Sequence, residues 1–213
     1  MIKPGLGHSP FYGILDADYV NREDWVNKCR ALIEGGAGII QLRAKRCSHS
    51  ERMKLLESIL FLFEQNSAPP LVINDDLKLA LQYPDLGLHI GQDDTPVSEA
   101  RSALGPERIL GLSTHSLEQA RKAVALADTL TYFAVGPVFA TQTKPTYTPV
   151  GLELVALVAE LNPVLPWYAI GGIHLDNVKA VRAHGAQRVV AVSDVLCHED
   201  TCARVQSIIQ LLN

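Results

Sequence analysis

Five charged side chains, each placed after a short apolar run, could together bind a metal ion and a multiply charged anion. Asp75 and Asp94 follow two of these runs. Carboxylates suit Mg²⁺, which completes its coordination shell with water and phosphate oxygens. Arg43, Lys45 and Lys144 follow other runs and supply three cations for an anionic ligand. The residue types therefore predict a site for a diphosphate with Mg²⁺.

A second anion site is indicated further along the chain. The paired glycines Gly171 and Gly172 allow a ligand to approach the backbone closely, and Ser193 follows the next apolar run. Backbone N–H groups at the start of a helix bind phosphate. Asp76 and Asp93, which adjoin the predicted metal ligands, are instead expected to cap helices or to lie in solvent.

Eight short apolar runs, rich in β-branched residues, alternate with longer amphipathic stretches. The runs are nearly continuous rather than alternating, which is typical of strands covered on both faces. They predict strands at residues 11–15, 38–43, 71–74, 87–90, 109–113, 132–135, 167–170 and 189–192.

Helices are predicted between these runs. The longest begins at Ser48 or Ser50, either of which could cap it, and continues to Gln65. The same periodicity predicts helices at 116–126, 152–161 and 175–183. Glycines that could end helices occur a few residues before the next strand, at 35–36, 105 and 185.

Strand–helix alternation repeated eight times nearly fills the 213 residues. It predicts an α/β fold, a single (β/α)8 TIM barrel over residues 1–213. Length alone also permits two domains, and an open doubly wound sheet is the alternative fold. In such a barrel the active site lies at the C-terminal ends of the strands. The charged residues follow the strands, so the barrel would gather them at one rim.

The composition excludes several classes of protein. Apolar residues make up 47% of the chain and charged residues 20%, which is typical of a globular domain. A net charge of −4 argues against nucleic-acid binding, and no apolar run approaches the roughly 20 residues of a membrane span. Without an apolar core of signal-peptide length near the N-terminus, we expect a cytoplasmic protein. The spacing of Cys197 and Cys202 fits no common zinc site.

The chain resembles the thiamine-phosphate synthase family, also called thiamine-phosphate pyrophosphorylase, over about residues 10–195. The resemblance rests on segments that keep the order and spacing of the family. They are FYGILD (11–16), GG (35–36), QLRAK (41–45), IND (73–75), GLHIGQDD (87–94), GLSTHS (111–116), GPVFATQTK (136–144), AIGGI (169–173) and VAVS (190–193). The QLRAK segment, the IND and GQDD pair and the FATQTK run are specific jointly rather than singly.

This resemblance implies that the protein condenses 4-amino-5-hydroxymethyl-2-methylpyrimidine diphosphate with thiazole phosphate. Mg²⁺ would assist the departure of pyrophosphate, and the thiazole nitrogen would capture the pyrimidine cation, giving thiamine phosphate. The implied catalytic residues are Arg43, Ser113 and Lys144, and the implied Mg²⁺ ligands are Asp75 and Asp94. The pyrimidine diphosphate would be held by Gln41, Leu42, Arg43, Ala44, Lys45, Asn74, Ser113 and Lys144. The thiazole phosphate would be held by Thr141, Gln142, Thr143, Gly172, Val192 and Ser193.

Three other functions are compatible with parts of the pattern. A thiazole tautomerase of the same barrel family lacks the metal carboxylates and the TxTK run, and it would use a residue such as His115. A non-catalytic barrel that binds thiamine precursors would not need cations and carboxylates together. A phosphate-sugar isomerase would explain the glycine pair and Ser193 but not the two metal ligands.

Several further expectations concern single residues and partners. His89, flanked by apolar residues, is expected to be a hydrogen-bonded core or rim histidine rather than a catalyst. The loop at 145–149, which contains Tyr147, could close over the site as a lid, although it lacks the acidic residue common in the family after TK. The expected partners are the two small-molecule substrates, without nucleic acid or membrane, and a homo-oligomer is compatible with the sequence.

Overall fold

Eight parallel strands form a closed barrel in the computed structural model, which describes residues 6–64, 67–141 and 148–213. Each strand pairs with its neighbour in sequence, and β8 pairs with β1. That closure confirms the predicted (β/α)8 barrel and excludes the open sheet. The strands are β1 (Phe11–Asp16), β2 (Ile39–Arg43), β3 (Leu71–Asn74), β4 (Gly87–Ile90), β5 (Leu110–Thr114), β6 (Tyr132–Val135), β7 (Trp167–Ile170) and β8 (Val189–Ala191).

Helices connect the strands and cover the outside of the barrel. They are α1 (Trp25–Glu34), α2 (His49–Glu57), α3 (Leu77–Gln82), α4 (Val97–Leu104), α5 (Leu117–Ala125), α6 (Gly151–Glu160), α7 (Val178–Ala183), α8 (Ser193–Leu196) and α9 (Thr201–Leu212). Among the described residues, no helix is both long enough and apolar enough to cross a membrane.

Two separate apolar cores lie on the two faces of the sheet. The outer core, between barrel and helices, includes Ile40 and Leu42. The inner core fills the barrel and contains Tyr12, Tyr132 and Tyr168. These three rings pack edge to face, with centroids 5.3 to 5.6 Å apart. Because successive side chains of a strand point to opposite faces, β1, β2, β3, β6, β7 and β8 contribute to both cores.

The eight predicted strands all form, each within one residue of its predicted ends. The helix after β2 is shorter than predicted. Ser48 begins it with a capping box, but the helix ends at Glu57, and the Ser58 hydroxyl donates to a carbonyl one turn earlier. The chain continues as a 3-10 helix, Leu60–Phe63, which still packs apolar side chains against the outer core. The predicted end, Gln65, lies outside the described residues.

Side-chain caps set other helix boundaries. Asp76 accepts from a backbone N–H of α3 at 2.9 Å, as expected of a cap, and Ser116 caps α5 in the same way at 3.2 Å. The predicted helix-ending glycines Gly36, Gly105 and Gly185 have φ of 93°, 78° and 96°, the left-handed conformation that terminates helices.

The helix predicted from residue 175 begins three residues later, at Val178. Asn177 holds the preceding segment as a turn, since its Oδ1 accepts from the His174 N–H at 2.9 Å. Its Nδ2 donates to the carbonyl of Gly172 at 2.8 Å. A side chain that bonds the local backbone competes with helix formation, so this asparagine delays the helix and fixes the glycine turn.

Candidate functional site

A cavity of about 930 Å³, including its open mouth, lies at the C-terminal ends of the strands. All eight strands, or the residues directly after them, contribute to its wall. The residues predicted for the site that line it are Gln41, Arg43, Lys45, Asn74, Asp75, Asp94, Ser113, Thr141, Gly172, Val192 and Ser193. Gln142, Thr143 and Lys144, together with Tyr147, lie outside the described residues.

Two residues of the predicted set do not reach the cavity. On β2 the side chains of Gln41 and Arg43 point into the barrel mouth, whereas Leu42 and Ala44 belong to the outer core and are 1% and 4% exposed. The period of two along a strand makes this separation unavoidable. The resemblance carried over a continuous segment, but only alternate side chains of that segment can contact a ligand.

Asp75 is held in an unusual backbone conformation at the cavity wall. Its φ is 60°, a left-handed value that is uncommon for residues other than glycine and that aspartate tolerates. Its Oδ2 accepts from Asn74 Nδ2 at 2.7 Å and pairs with Lys45 Nζ at 2.8 Å. The Asp75 N–H donates to the His89 carbonyl at 2.9 Å. Two neighbouring side chains therefore hold the carboxylate, and the His89 carbonyl holds the peptide group of the same residue.

Asp94 faces Asp75 across the same wall. Its Oδ2 accepts from the Gly91 N–H at 2.7 Å. Burial, followed by a hydrogen bond with the Asp75 carboxyl group, raises the pKa of Asp94 above its ordinary value. Two carboxyl groups in hydrogen-bond contact repel each other when both are ionised, and a cation between them relieves that repulsion. Asp93, next in sequence, is exposed, as expected.

This pair fits Mg²⁺ by its donor set. Within the described ranges, no cluster of three or more His, Cys, Asp or Glu side chains could hold a metal. Mg²⁺ commonly takes only one or two carboxylates and fills its other positions with water and substrate phosphates. Asp75 and Asp94 would therefore be its protein ligands, and Lys45, which contacts Asp75, would lie beside them.

Arg43 is fixed by an acidic residue for which the sequence suggested no role. Its Nη1 donates to Asp16 Oδ2 at 2.6 Å, and the two side chains are 7% and 0% exposed. A second contact, to Asp18 Oδ2, measures 3.3 Å. Burial raises the pKa of Asp16 although Arg43 opposes that shift. The available signal was position, since Asp16 and Arg43 are register partners at the ends of β1 and β2.

The glycine turn lies across the barrel from the carboxylates. Gly171 and Gly172 have φ of 104° and 62°, and a β-carbon on Gly172 would lie 2.6 Å from the Ala140 carbonyl oxygen. The loop after β6 donates to this turn through the Phe139 N–H, 3.0 Å from the Gly171 oxygen. Only glycine permits this close approach, which brings Thr141 into the same wall.

Two histidines reach the cavity. His89 is 6% exposed, and its ring nitrogens lie 2.9 Å from Tyr132 Oη and from Ser113 Oγ, so the expectation of a hydrogen-bonded core or rim histidine is confirmed. His115 also lines the cavity. Its Nδ1 contacts the Gly136 carbonyl, and its backbone N–H donates to the side-chain oxygen of Gln119 in α5 at 2.6 Å.

Comparison with known proteins agrees with this geometry. A family model described as thiamine monophosphate synthase matches residues 11–195. The thiamine-phosphate synthase of Arthrobacter sp. (strain FB24) is 39% identical over 214 residues, covering 91% of this chain and 90% of its own length. That of Synechococcus sp. (strain CC9311) is 40% identical over 193 residues, 90% of this chain and 53% of its own length. The chain thus spans about half the length of several curated relatives.

Solved structures give the same grouping. Thiamine phosphate pyrophosphorylase from Pyrococcus furiosus superimposes with a TM-score of 0.76 at 26% identity, covering 97% of this chain and 95% of that one. A 3-hexulose-6-phosphate synthase reaches a TM-score of 0.69 at 13% identity over 95% and 99% of the two chains, which reflects the shared fold alone. With the family model matched across all eight strands, the chain belongs to the thiamine monophosphate synthase family.

Proposed function

We propose that the protein joins 4-amino-5-hydroxymethyl-2-methylpyrimidine diphosphate to thiazole phosphate, releasing pyrophosphate and forming thiamine phosphate. The observation that carries the proposal is one cavity with charged side chains on one wall and a glycine turn on the other. Lys45, Arg43 and the Asp75–Asp94 pair form one wall, and the Gly172 turn belongs to the other. Two phosphorylated substrates that must react with each other need such a shared cavity.

The bond changes require little proton transfer. The bond between the methylene carbon and the diphosphate oxygen breaks, and its electron pair leaves with pyrophosphate. The thiazole nitrogen lone pair then forms the new carbon–nitrogen bond to the resulting pyrimidine cation. The protein therefore needs no nucleophile of its own. Its work is to stabilise the leaving group and to hold the two reactants in contact.

Each wall has an assigned part in this reaction. Arg43 and Lys45 would bind the diphosphate, and Asp75 and Asp94 would hold Mg²⁺. When bound, Mg²⁺ supplies positive charge to the departing pyrophosphate. We assign Lys144 the same charge-stabilising role from its position in the TK sequence. Ser113 completes the pyrimidine side of the cavity.

On the other wall, the thiazole phosphate would be seated by backbone and hydroxyl groups. Thr141, Gly172, Val192 and Ser193 all line that side, and Gln142 and Thr143 belong to the same proposed set.

Free thiols at all four cysteines are compatible with a reducing compartment. We therefore propose that the reaction takes place in the cytoplasm, without nucleic acid or membrane as a partner.

A direct assay tests the proposal. The purified protein is incubated with both precursors over a range of Mg²⁺ concentrations, and thiamine phosphate and pyrophosphate are quantified. We expect both products in equal amounts and only with Mg²⁺. Absence of condensation at every metal concentration would reject the synthase function, and interconversion of thiazole isomers without the pyrimidine would support a tautomerase instead.

Removing Lys144 tests the leaving-group role. Lys144→Ala should lower kcat by roughly 10²- to 10³-fold, the usual effect of losing one group that stabilises developing charge. Steady-state kinetics that match the wild type would remove Lys144 from the mechanism.

A further inference from the structure

A network of four hydrogen bonds runs through the interior of the barrel, and the residues at its two ends line the cavity. Gln41 Nε2 donates to Tyr12 Oη at 2.5 Å, and Tyr12 Oη lies 2.9 Å from Tyr132 Oη. Tyr132 Oη lies 2.9 Å from His89 Nδ1, and His89 Nε2 lies 2.9 Å from Ser113 Oγ. Both ends, Gln41 and Ser113, belong to the pyrimidine side of the proposed site.

The middle of this hydrogen-bond network is buried, and the packing of the barrel strands leaves room for it. Tyr12 and Tyr132 are 1% and 0% exposed. The residue paired with Tyr132 on β5 is Gly111, and a β-carbon there would overlap the Tyr132 ring. The missing side chain of Gly111 therefore creates the space that lets the Tyr132 hydroxyl reach both neighbours.

The hydrogen bonds of this network can all donate in one direction, from Gln41 toward Ser113. Tyr12 Oη faces an amide nitrogen, which can only donate, so the Tyr12 hydrogen must go to Tyr132. Tyr132 then donates to His89 Nδ1, and the hydrogen on His89 Nε2 goes to Ser113 Oγ. In the opposite direction, the Tyr12 hydrogen and the Gln41 amide hydrogen would face each other. Burial raises the pKa of both tyrosines, which keeps these donors protonated.

We propose that Tyr12, Tyr132 and His89 form an orienting relay that fixes the hydrogen-bonding direction of Gln41 and Ser113 toward the substrate. With one amide hydrogen held by Tyr12, Gln41 keeps its Oε1 and its second amide hydrogen for the ligand. Ser113 accepts from His89 and keeps its hydroxyl hydrogen for donation. The three relay residues are thus positioning residues, which act through the two residues at the ends.

The fixed amide selects a particular ligand edge; this part of the inference rests on the proposed function. In a 4-amino pyrimidine, the amino group is a donor and the adjacent ring nitrogen is an acceptor. The amino group would donate to Gln41 Oε1, and the ring nitrogen would accept from the second amide hydrogen, as when a glutamine binds adenine. A 4-oxo pyrimidine offers the reverse order, acceptor beside donor, and would place two acceptors face to face at Oε1. The relay therefore favours a 4-amino pyrimidine over its 4-oxo analogue.

Substrate selectivity provides the first test. Tyr12→Phe frees the Gln41 amide to rotate while keeping the ring, so the preference in kcat/KM for the 4-amino over the 4-oxo diphosphate should fall at least roughly tenfold. The matched control is Tyr168→Phe, because Tyr168 packs against both relay tyrosines and its hydroxyl has no hydrogen-bond partner within the described residues. Equal selectivity in the two variants would overturn the proposal.

A spectroscopic test does not depend on turnover. Nitrogen-15 NMR of the wild-type protein should show neutral His89 with its hydrogen on Nε2, and Tyr132→Phe, but not Tyr168→Phe, should shift the Nδ1 signal. A hydrogen on Nδ1 in the wild type would reverse the relay and refute the inference. If the wild type fails to condense its precursors, the proposed function is rejected. The relay is then still tested by the His89 signals and by the affinities of the protein for the 4-amino and 4-oxo diphosphates, measured by titration calorimetry.

Discussion

Removing the hydroxyl group from Tyr168 should make the protein more stable. The side chain is 0% exposed, and its Oη finds no hydrogen-bond partner among the residues that the structure describes. Burial also raises the pKa of this hydroxyl to about 12. A buried polar group without a partner carries a desolvation cost that the folded state does not recover. Tyr168→Phe removes that cost and keeps the ring in its edge-to-face contacts.

The expected size follows from the hydroxyl alone. An unpaired buried hydroxyl costs about 1–3 kcal/mol, so Tyr168→Phe should raise the free energy of unfolding by about 1–2 kcal/mol once the small lost volume is allowed for. For a domain of this size, each 1 kcal/mol moves Tm by about 2–4 °C. Calorimetry or circular dichroism should then show a rise of roughly 2–8 °C.

The same substitution at Tyr132 should have the opposite sign. Tyr132 is also 0% exposed, but its hydroxyl contacts Tyr12 and His89. Its removal loses two hydrogen bonds and leaves buried groups unpaired, which costs about 2–4 kcal/mol in total. The two variants thus differ in hydrogen bonding rather than in size or burial. A fall in Tm for both variants would refute the argument, because it would mean that the Tyr168 hydroxyl is also bound.

Three other predictions concern single side chains. Asp94→Asn should raise the Mg²⁺ concentration needed for half-maximal turnover at least roughly tenfold. The control Asp93→Asn changes an exposed neighbour and should match the wild type. Equal metal dependence in the two variants would exclude Asp94 as a ligand. The raised pKa of Asp16 means that the folded chain binds this proton more tightly than the unfolded chain, so this carboxyl lowers stability as pH rises from about 4 through its folded pKa. Urea unfolding should show Asp16→Asn gaining on the wild type over that interval, and a constant difference would contradict the sign. Burial raises the pKa of the Cys29 thiol to about 12, so alkylation of the native protein at pH 8 should modify exposed Cys197 far faster, and equal labelling by mass spectrometry would contradict the burial.

Local patterns were sufficient to predict the barrel because strands covered on both faces need continuous apolar runs. Val72 and Ile73 are both fully buried, although they point to opposite faces of β3. The same reasoning failed at two helix boundaries, after Glu57 and before Val178. In both places a polar side chain bonds the nearby backbone, and the hydrophobic period carries no record of that competition.

For the site, the sequence identified which residues follow the strands but not which way they face. It grouped Leu42 and Ala44 with Gln41 and Arg43, and the pleat of β2 separated them. It suggested no role for Asp16, because the contact with Arg43 joins two adjacent strands that a helix separates in the sequence. Tyr12 was one apolar position among many until its hydroxyl was placed beside Gln41.

The sequence by itself determined the order of strands and helices, the barrel, and the presence of two carboxylates and several cations at one rim. These properties depend on hydrophobic period and on position along a strand, which are local. Only the tertiary structure decided which carboxyl faces which, that Arg43 is held by a buried acid, and that Gln41 and Ser113 are joined through Tyr12, Tyr132 and His89. Those relations depend on side chains from different strands meeting inside a closed barrel, and no spacing along the chain encodes that meeting.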